Sequence, residues 1–240
     1  MLVAAAVCPA PPLLVPEVAA GAAAELGDAR TACSDALAVL AASRPDLLVV
    51  VGAAEEGGGY DQGTPGSFAG FGVDLTVTLG PDPSEPPSGH ATGTTLPTSL
   101  AVAGWLLGQA RWAAAPVAGV AVAEHLPPSG CGLLGADLGR SAARVAMLIL
   151  GDGSACRTLK APGYLDERAA DFDAAAARAL GTADAAALAA IEPGLAAELQ
   201  AAGRAPWQVL AGAAEGADLA GRLLYDDAPY GVGYFVATWS

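Results

Sequence analysis

Four short apolar runs constrain the fold of this chain more than any other feature of its sequence. Each run is rich in Val, Leu, Ile or Ala and is bounded by Gly, Pro or polar residues. They cover residues 2–7, 47–51, 117–122 and 145–150. Runs of this kind are typical of strands that are covered on both faces, as in a parallel sheet. We therefore predict that the four runs lie side by side in one central sheet.

Helical patterns alternate with these runs. They cover residues 16–42, 97–112 and 135–143. This alternation predicts an α/β fold with a central, mostly parallel sheet and helices on both faces. The chain of 240 residues is expected to form a single domain over residues 1–240.

The second half of the chain contains a helical block at about residues 166–214, which is followed by two more predicted strands. Those strands cover residues 222–225 and 233–239 and are expected to form a hairpin or to extend the sheet edge. A weaker strand is predicted at 74–77, and two Gly/Pro-rich loops at 57–72 and 80–93.

Charge and composition exclude several classes of function. The chain has 11 Lys and Arg against 25 Asp and Glu, a formal net charge of -14, which disfavours nucleic-acid binding. No apolar run approaches the roughly 20 residues of a membrane-spanning helix. The four cysteines are widely spaced and indicate neither a zinc site nor a disulfide framework. We expect a cytoplasmic protein without membrane or nucleic-acid partners, whose partner is a small molecule or another protein; an oligomer is compatible with this sequence.

Four motifs occur in an order and spacing that resemble one enzyme family. They are Pro-Ala-Pro-Pro-Leu-Leu-Val-Pro-Glu at 9–17, Gly-Asp-Gly-Ser-Ala at 151–155, Ala-Pro-Gly-Tyr at 161–164 and Tyr-Gly-Val-Gly-Tyr at 230–234. This pattern resembles the class III extradiol ring-cleavage dioxygenases of the LigB type. The resemblance implies a LigB-like fold. It also implies Fe(II) bound by two imidazoles and one carboxylate, with open positions for a catechol and dioxygen, and a further histidine as acid/base.

The chain departs from this family where the metal ligands are expected. Ala10 stands in the Pro-His-Pro-Pro-like turn after the first strand, and Ala54 stands in the turn after the second. Ala155 ends the Gly-Asp-Leu-Ser-His-like turn, and the late carboxylate ligand aligns near residues 201–203, which contain no carboxylate. Because alanine has no donor atom, we expect no cofactor and no ring cleavage.

The carboxyl ends of parallel strands share one edge of a sheet, where open α/β folds bind ligands. We expect a partly apolar cleft there for a neutral or weakly cationic small molecule. The candidate pocket residues are Ala10, Glu17, Ala54, Glu55, His125, Asp152, Ser154 and Ala155.

The polar candidates also have structural interpretations. Glu17 suits the first turn of a helix, Glu55 suits a solvated turn, and Asp152 and Ser154 suit a local turn that satisfies backbone donors.

Three hypotheses follow. The leading one is a degenerate LigB-like pseudoenzyme that binds a small molecule or a protein partner. The second is an active Fe(II)-dependent extradiol dioxygenase, or another oxidoreductase, with relocated ligands: His90, His125 and one of Glu55, Glu124 or Asp152. The third is an unrelated reaction with Asp152 as acid/base.

Overall fold

The structure is a computed structural model that describes residues 1–81 and 95–240. Within them the chain forms nine strands: β1 (Leu2–Cys8), β2 (Leu47–Ala54), β3 (Gly58–Asp61), β4 (Pro65–Ser67), β5 (Thr76–Thr78), β6 (Val117–Ala123), β7 (Val145–Leu150), β8 (Gly221–Asp227) and β9 (Tyr234–Trp239). Seven of these strands form one central sheet in the order β3-β6-β2-β7-β1-β9-β8.

The predicted strands form the centre of this sheet. Strands β6, β2, β7 and β1 are neighbours and run parallel, which confirms the prediction for the four apolar runs. Strand β3 adds to one edge, antiparallel to β6. The two late strands satisfy both expectations, because β8 and β9 form an antiparallel hairpin and β9 also pairs with β1.

The described residues form eight α-helices: α1 (Pro16–Ala19), α2 (Gly27–Ala42), α3 (Thr98–Gln109), α4 (Pro128–Leu138), α5 (Ala169–Thr182), α6 (Ala185–Ala189), α7 (Pro193–Glu198) and α8 (Arg204–Ala213). None of the helices in this part of the chain is both long enough and apolar enough to cross a membrane.

Both faces of the sheet are covered, as predicted. Alternate residues of a strand point to opposite faces, so Ala4 and Ala6 pack in a core with α2 and α3, whereas Ala5 and Val7 pack in a second core with α5 and α8. Trp207 belongs to the second core and is fully buried. The two cores fix the central strands and therefore fix the edge at which these strands end.

Several boundaries differ from the predictions. The helix predicted at 135–143 begins earlier, at Pro128, which occupies the first helical turn, a position that proline favours. The predicted loop at 57–72 contains β3 and β4. The sequences of these strands, Gly-Gly-Tyr-Asp and Pro-Gly-Ser, contain no alternation of apolar and polar side chains, so periodicity did not indicate them. The weak strand at 74–77 is found as β5, which pairs with β4 in a separate two-stranded sheet. Most of the predicted loop at 80–93 lies outside the described residues.

Candidate binding site at the carboxyl edge of the sheet

The four central strands end at one edge of the sheet, because they run parallel. Their last residues are Cys8, Ala54, Ala123 and Leu150. The register pairs Gly52 with Leu150. Ala54 and Asp152 therefore each follow this pair by two residues, and both belong to the carboxyl edge.

Asp152 is an ionisable residue that follows the end of β7. The fold brings it next to Ala10, which follows the end of the neighbouring strand β1. Its Oδ1 accepts a hydrogen bond of 2.8 Å from the backbone N–H of Ala10, 142 residues away, and its carbonyl oxygen accepts one of 2.8 Å from the N–H of Gly203. Burial raises the pKa of Asp152 to about 7, against the opposing effect of the Ala10 hydrogen bond. Asp152 therefore changes charge near neutral pH.

Two tyrosines lie on the same side of the molecule as this carboxyl group. Tyr234 at the start of β9 is buried, and its pKa lies well above the ordinary value because of burial and then because of the negative charge of Asp152. Tyr230 lies close to Glu25, and burial, followed by Glu25, raises the pKa of its phenol. Both phenols therefore stay protonated at neutral pH and can act as hydrogen-bond donors.

Ser154 belongs to a buried polar cluster, and Asp173 on α5 is the centre of that cluster. The Oδ1 of Asp173 accepts a hydrogen bond of 2.7 Å from Ser154 N–H, and its Oδ2 accepts one of 2.8 Å from Ser154 Oγ. Arg157 forms an ion pair of 3.1 Å with the same Oδ2. Asp173 is 1% exposed. The cluster therefore fixes the turn that carries Asp152. The predicted local turn contacts of Asp152 and Ser154 are not what the structure shows, because their side chains bond to Ala10 and Asp173, which are distant in the sequence.

Two glycines let this cluster form. A Cβ atom on Gly153 would come within 2.7 Å of Asp173 Oδ1, and one on Gly233 would come within 2.5 Å of Asp173 Oδ2. The backbones of these two residues are also joined, because Gly153 N–H donates to the carbonyl of Gly233 at 2.7 Å. The motifs at residues 151–155 and 230–234, which both contribute to the family resemblance, thus enclose the buried carboxylate of Asp173.

Two further alanine candidates, Ala54 and Ala155, have backbone partners other than Asp152. Ala54 accepts a backbone hydrogen bond of 3.2 Å from Glu124. Ala155 is buried, and its backbone bonds to Leu199 and Gly163 at 2.9 Å each.

Three candidates are exposed, namely Glu17, Glu55 and His125. Glu17 lies in the first turn of α1. It lines a different cavity, of about 690 Å³, whose walls include Trp105 and Arg111. The structure thus joins Ala10 directly to Asp152 and places Glu17 at another site.

A cavity of about 390 Å³, which we call the edge cavity, opens beside the strand ends. Its lining residues come from the end of β6, from α7 and from the start of α8: Glu124, Pro193, Ala196, Ala197, Gln200, Ala201, Ala202, Arg204 and Ala205. None of the eight candidate pocket residues is among this lining. The cavity lies next to the Asp152 turn, because Gly203, which follows the lining residue Ala202, donates its N–H to the carbonyl oxygen of Asp152.

Arg204 is a residue that the sequence analysis missed. It is 5% exposed. Its guanidinium donates to the carbonyl oxygens of Leu126, at 2.6 Å, and Glu124, and to Gln208 Oε1 at 3.1 Å. A signal existed in the sequence, because Arg204 is the one charged residue in the stretch 199–214.

The donor set of this edge does not fit the iron site of the family that the sequence resembles. Ala10, Ala54 and Ala155 stand where imidazoles are expected, and an alanine side chain has no atom that can bind a metal ion. In residues 1–81 and 95–240, no group of three or more His, Cys, Asp or Glu side chains is placed so that it could hold a metal. His90, which the relocated-ligand hypothesis requires, lies outside the described residues.

Comparisons with known proteins give a fold and no family. No family model matches the chain, and no curated protein matches it. A crystal structure of an uncharacterized protein, JW3007 from Escherichia coli K12, is similar to it with a TM-score of 0.59 and 12% sequence identity, over 99% of this chain and 100% of that one. The similarity shows a shared fold over nearly the whole length of both chains.

Proposed function

We propose that this chain is a LigB-like protein that lacks the iron site of the class III extradiol dioxygenases and binds a small molecule at the carboxyl edge of its sheet. One observation carries the proposal. At the position of the family's first imidazole, the chain has Ala10, and its backbone N–H donates to Asp152. In this chain the carboxyl edge contains the ionisable group of Asp152, and the edge cavity lies next to it. The methyl group of Ala10 takes the place of the imidazole.

The edge cavity supports a small molecule rather than a protein partner as the ligand. A concave site that combines apolar surface with a few convergent polar groups is typical of small-molecule sites. The lining of the edge cavity is mixed in this way: alanine methyl groups and Pro193 provide its apolar part, while Glu124, Gln200 and Arg204 provide polar groups.

A second candidate function is a reaction with Asp152 as acid/base. The pKa of about 7 favours it, because a general acid or base works best when its pKa lies near the working pH. The two candidates differ in the effect of Asp152→Asn: if the protein only binds its ligand, the variant changes affinity; if it turns the ligand over, the variant abolishes turnover.

The binding proposal is tested by NMR on the full ¹⁵N-labelled chain, titrated with a library of neutral, cationic and anionic fragments. We expect at least one fragment to shift the amide signals of Ala10, residues 151–155 and residues 201–205. The variant Ala197→Phe, which fills the mouth of the edge cavity, should weaken this binding by about tenfold or more, the equivalent of about 1.4 kcal/mol.

A matched control is Ala186→Phe, at an alanine on α6 that is also exposed but does not line the edge cavity. It should leave the affinity unchanged. The proposal fails if no fragment perturbs the edge, or if every shift maps to the cavity that Glu17 lines.

A further inference from the structure

Arg204 is a buried cation that forms no ion pair within the described residues. Its hydrogen-bond partners are two backbone carbonyls, the neutral amide of Gln208 and, at 3.9 Å, the Sγ atom of Cys131. In the part of the chain that the structure describes, the ion pairs involve other arginines, namely Arg140, Arg157 and Arg168. A buried charge is costly unless an opposite charge compensates it. The carbonyl oxygens reduce this cost but carry no net charge.

Arg204 lines the edge cavity and keeps one nitrogen, Nε, without a hydrogen-bond partner among residues 1–81 and 95–240. Ala205, in the first turn of α8, also lines the cavity, and its backbone N–H has no partner in the same residues. The amino end of a ten-residue helix adds a partial positive charge at this point.

The other lining residues of the edge cavity indicate what the uncharged part of a ligand must be like. Ala196, Ala201 and Ala205 are buried and present methyl groups, and Pro193 adds apolar surface. Glu124 is the acidic residue of the lining and is exposed, so its charge lies on the solvent side while Arg204 lies within. An anionic group is therefore favoured at the buried end, and an apolar body fits the alanine walls.

We propose that the edge cavity binds a small organic carboxylate, whose carboxylate group pairs with Arg204 and whose apolar body packs against the alanine walls. This inference rests on the proposed function and specifies its ligand class. It reverses the expectation of a neutral or weakly cationic ligand, which followed from the net charge of -14. The reason is that a buried local charge acts on a bound ligand at short range, whereas solvent and salt screen distant surface charges.

The test compares two probes of nearly equal shape, benzoate and benzamide, by isothermal titration calorimetry with the full chain at pH 7. We expect benzoate to bind at least about tenfold more tightly than benzamide, since hydrogen bonds to charged groups are the stronger ones. Arg204→Gln should remove this preference. Glu124→Gln, a change at an exposed residue, should tighten benzoate binding about twofold to fivefold by removing a negative charge, as expected for a partly screened pair.

The two substitutions also separate ligand binding from a purely structural role. If Arg204→Gln does not fold, Glu124→Gln still tests the charge preference, and Ala197→Phe should block benzoate. Equal binding of benzoate and benzamide, or binding of neutral fragments alone at the edge, overturns this inference and leaves the proposed function standing. If neither probe binds and no library fragment perturbs the edge, both proposals are wrong.

Discussion

Replacing Asp173 with alanine is expected to lower the free energy of unfolding by about 2–4 kcal/mol, mainly because two buried donors of Ser154 lose their acceptor, at about 1–3 kcal/mol each. The substitution leaves the N–H and hydroxyl of Ser154 without their acceptor, and Arg157 without its counter-charge. It also opens space between Gly153 and Gly233, which approach the carboxylate closely. Chemical denaturation with matched m-values measures the change.

The control for this experiment is Asp171→Ala on the same helix. Asp171 is exposed, so its removal should change stability by less than about 0.5 kcal/mol, as is usual for surface positions. If the two variants lose similar amounts of stability, the buried cluster does not hold the Asp152 turn in place.

Asp152→Asn is expected to stabilise the protein increasingly as pH rises. The folded pKa of Asp152 is about 7, raised from 3.8, so the folded state holds a proton that the unfolded chain loses from about pH 4 upward. The contribution of this group to stability therefore falls between pH 4 and pH 7 and is constant above. A shift of about three units corresponds to about 4 kcal/mol. Because the residue is partly exposed, we expect a gain of about 2–4 kcal/mol at pH 8.

The measurement is the free energy of unfolding of the wild type and the variant from pH 4 to pH 8. Asparagine keeps an oxygen that can accept the hydrogen bond from Ala10, so the difference between the two proteins isolates the titration. Asp171→Asn should show no such dependence. A difference that stays flat over this range would mean that Asp152 titrates as an ordinary surface carboxylate.

The four parallel strands at the centre of the sheet were predictable because they are covered on both faces. Strand β7 is buried at every residue, and its sequence, Val-Ala-Met-Leu-Ile-Leu, is a continuous apolar run. Strand β3 was missed for the opposite reason. It is half-buried, contains two glycines and is held by pairing with β6, so its stability comes from tertiary contacts that leave no local pattern.

The site was less predictable than the fold. The position of Ala10 beside Asp152 follows from the rule that parallel strands end at one edge. Asp173 left a signal, since it shares the buried face of α5 with Ala169, Ala176 and Leu180. A carboxylate on such a face requires a buried partner, but the sequence does not say which one. The role of Arg204 depends on the carbonyls of Glu124 and Leu126, about 80 residues earlier, which only the folded chain brings close.

The iron content of the chain tests the central claim most directly. Protein purified without a histidine tag is loaded anaerobically with Fe(II), desalted and measured by elemental analysis, and the same sample is then given catechol or protocatechuate in air. The account predicts iron far below one atom per chain and no yellow ring-opened product, because Ala10, Ala54 and Ala155 supply no ligand atom. Stoichiometric iron together with the ring-opened product would contradict it.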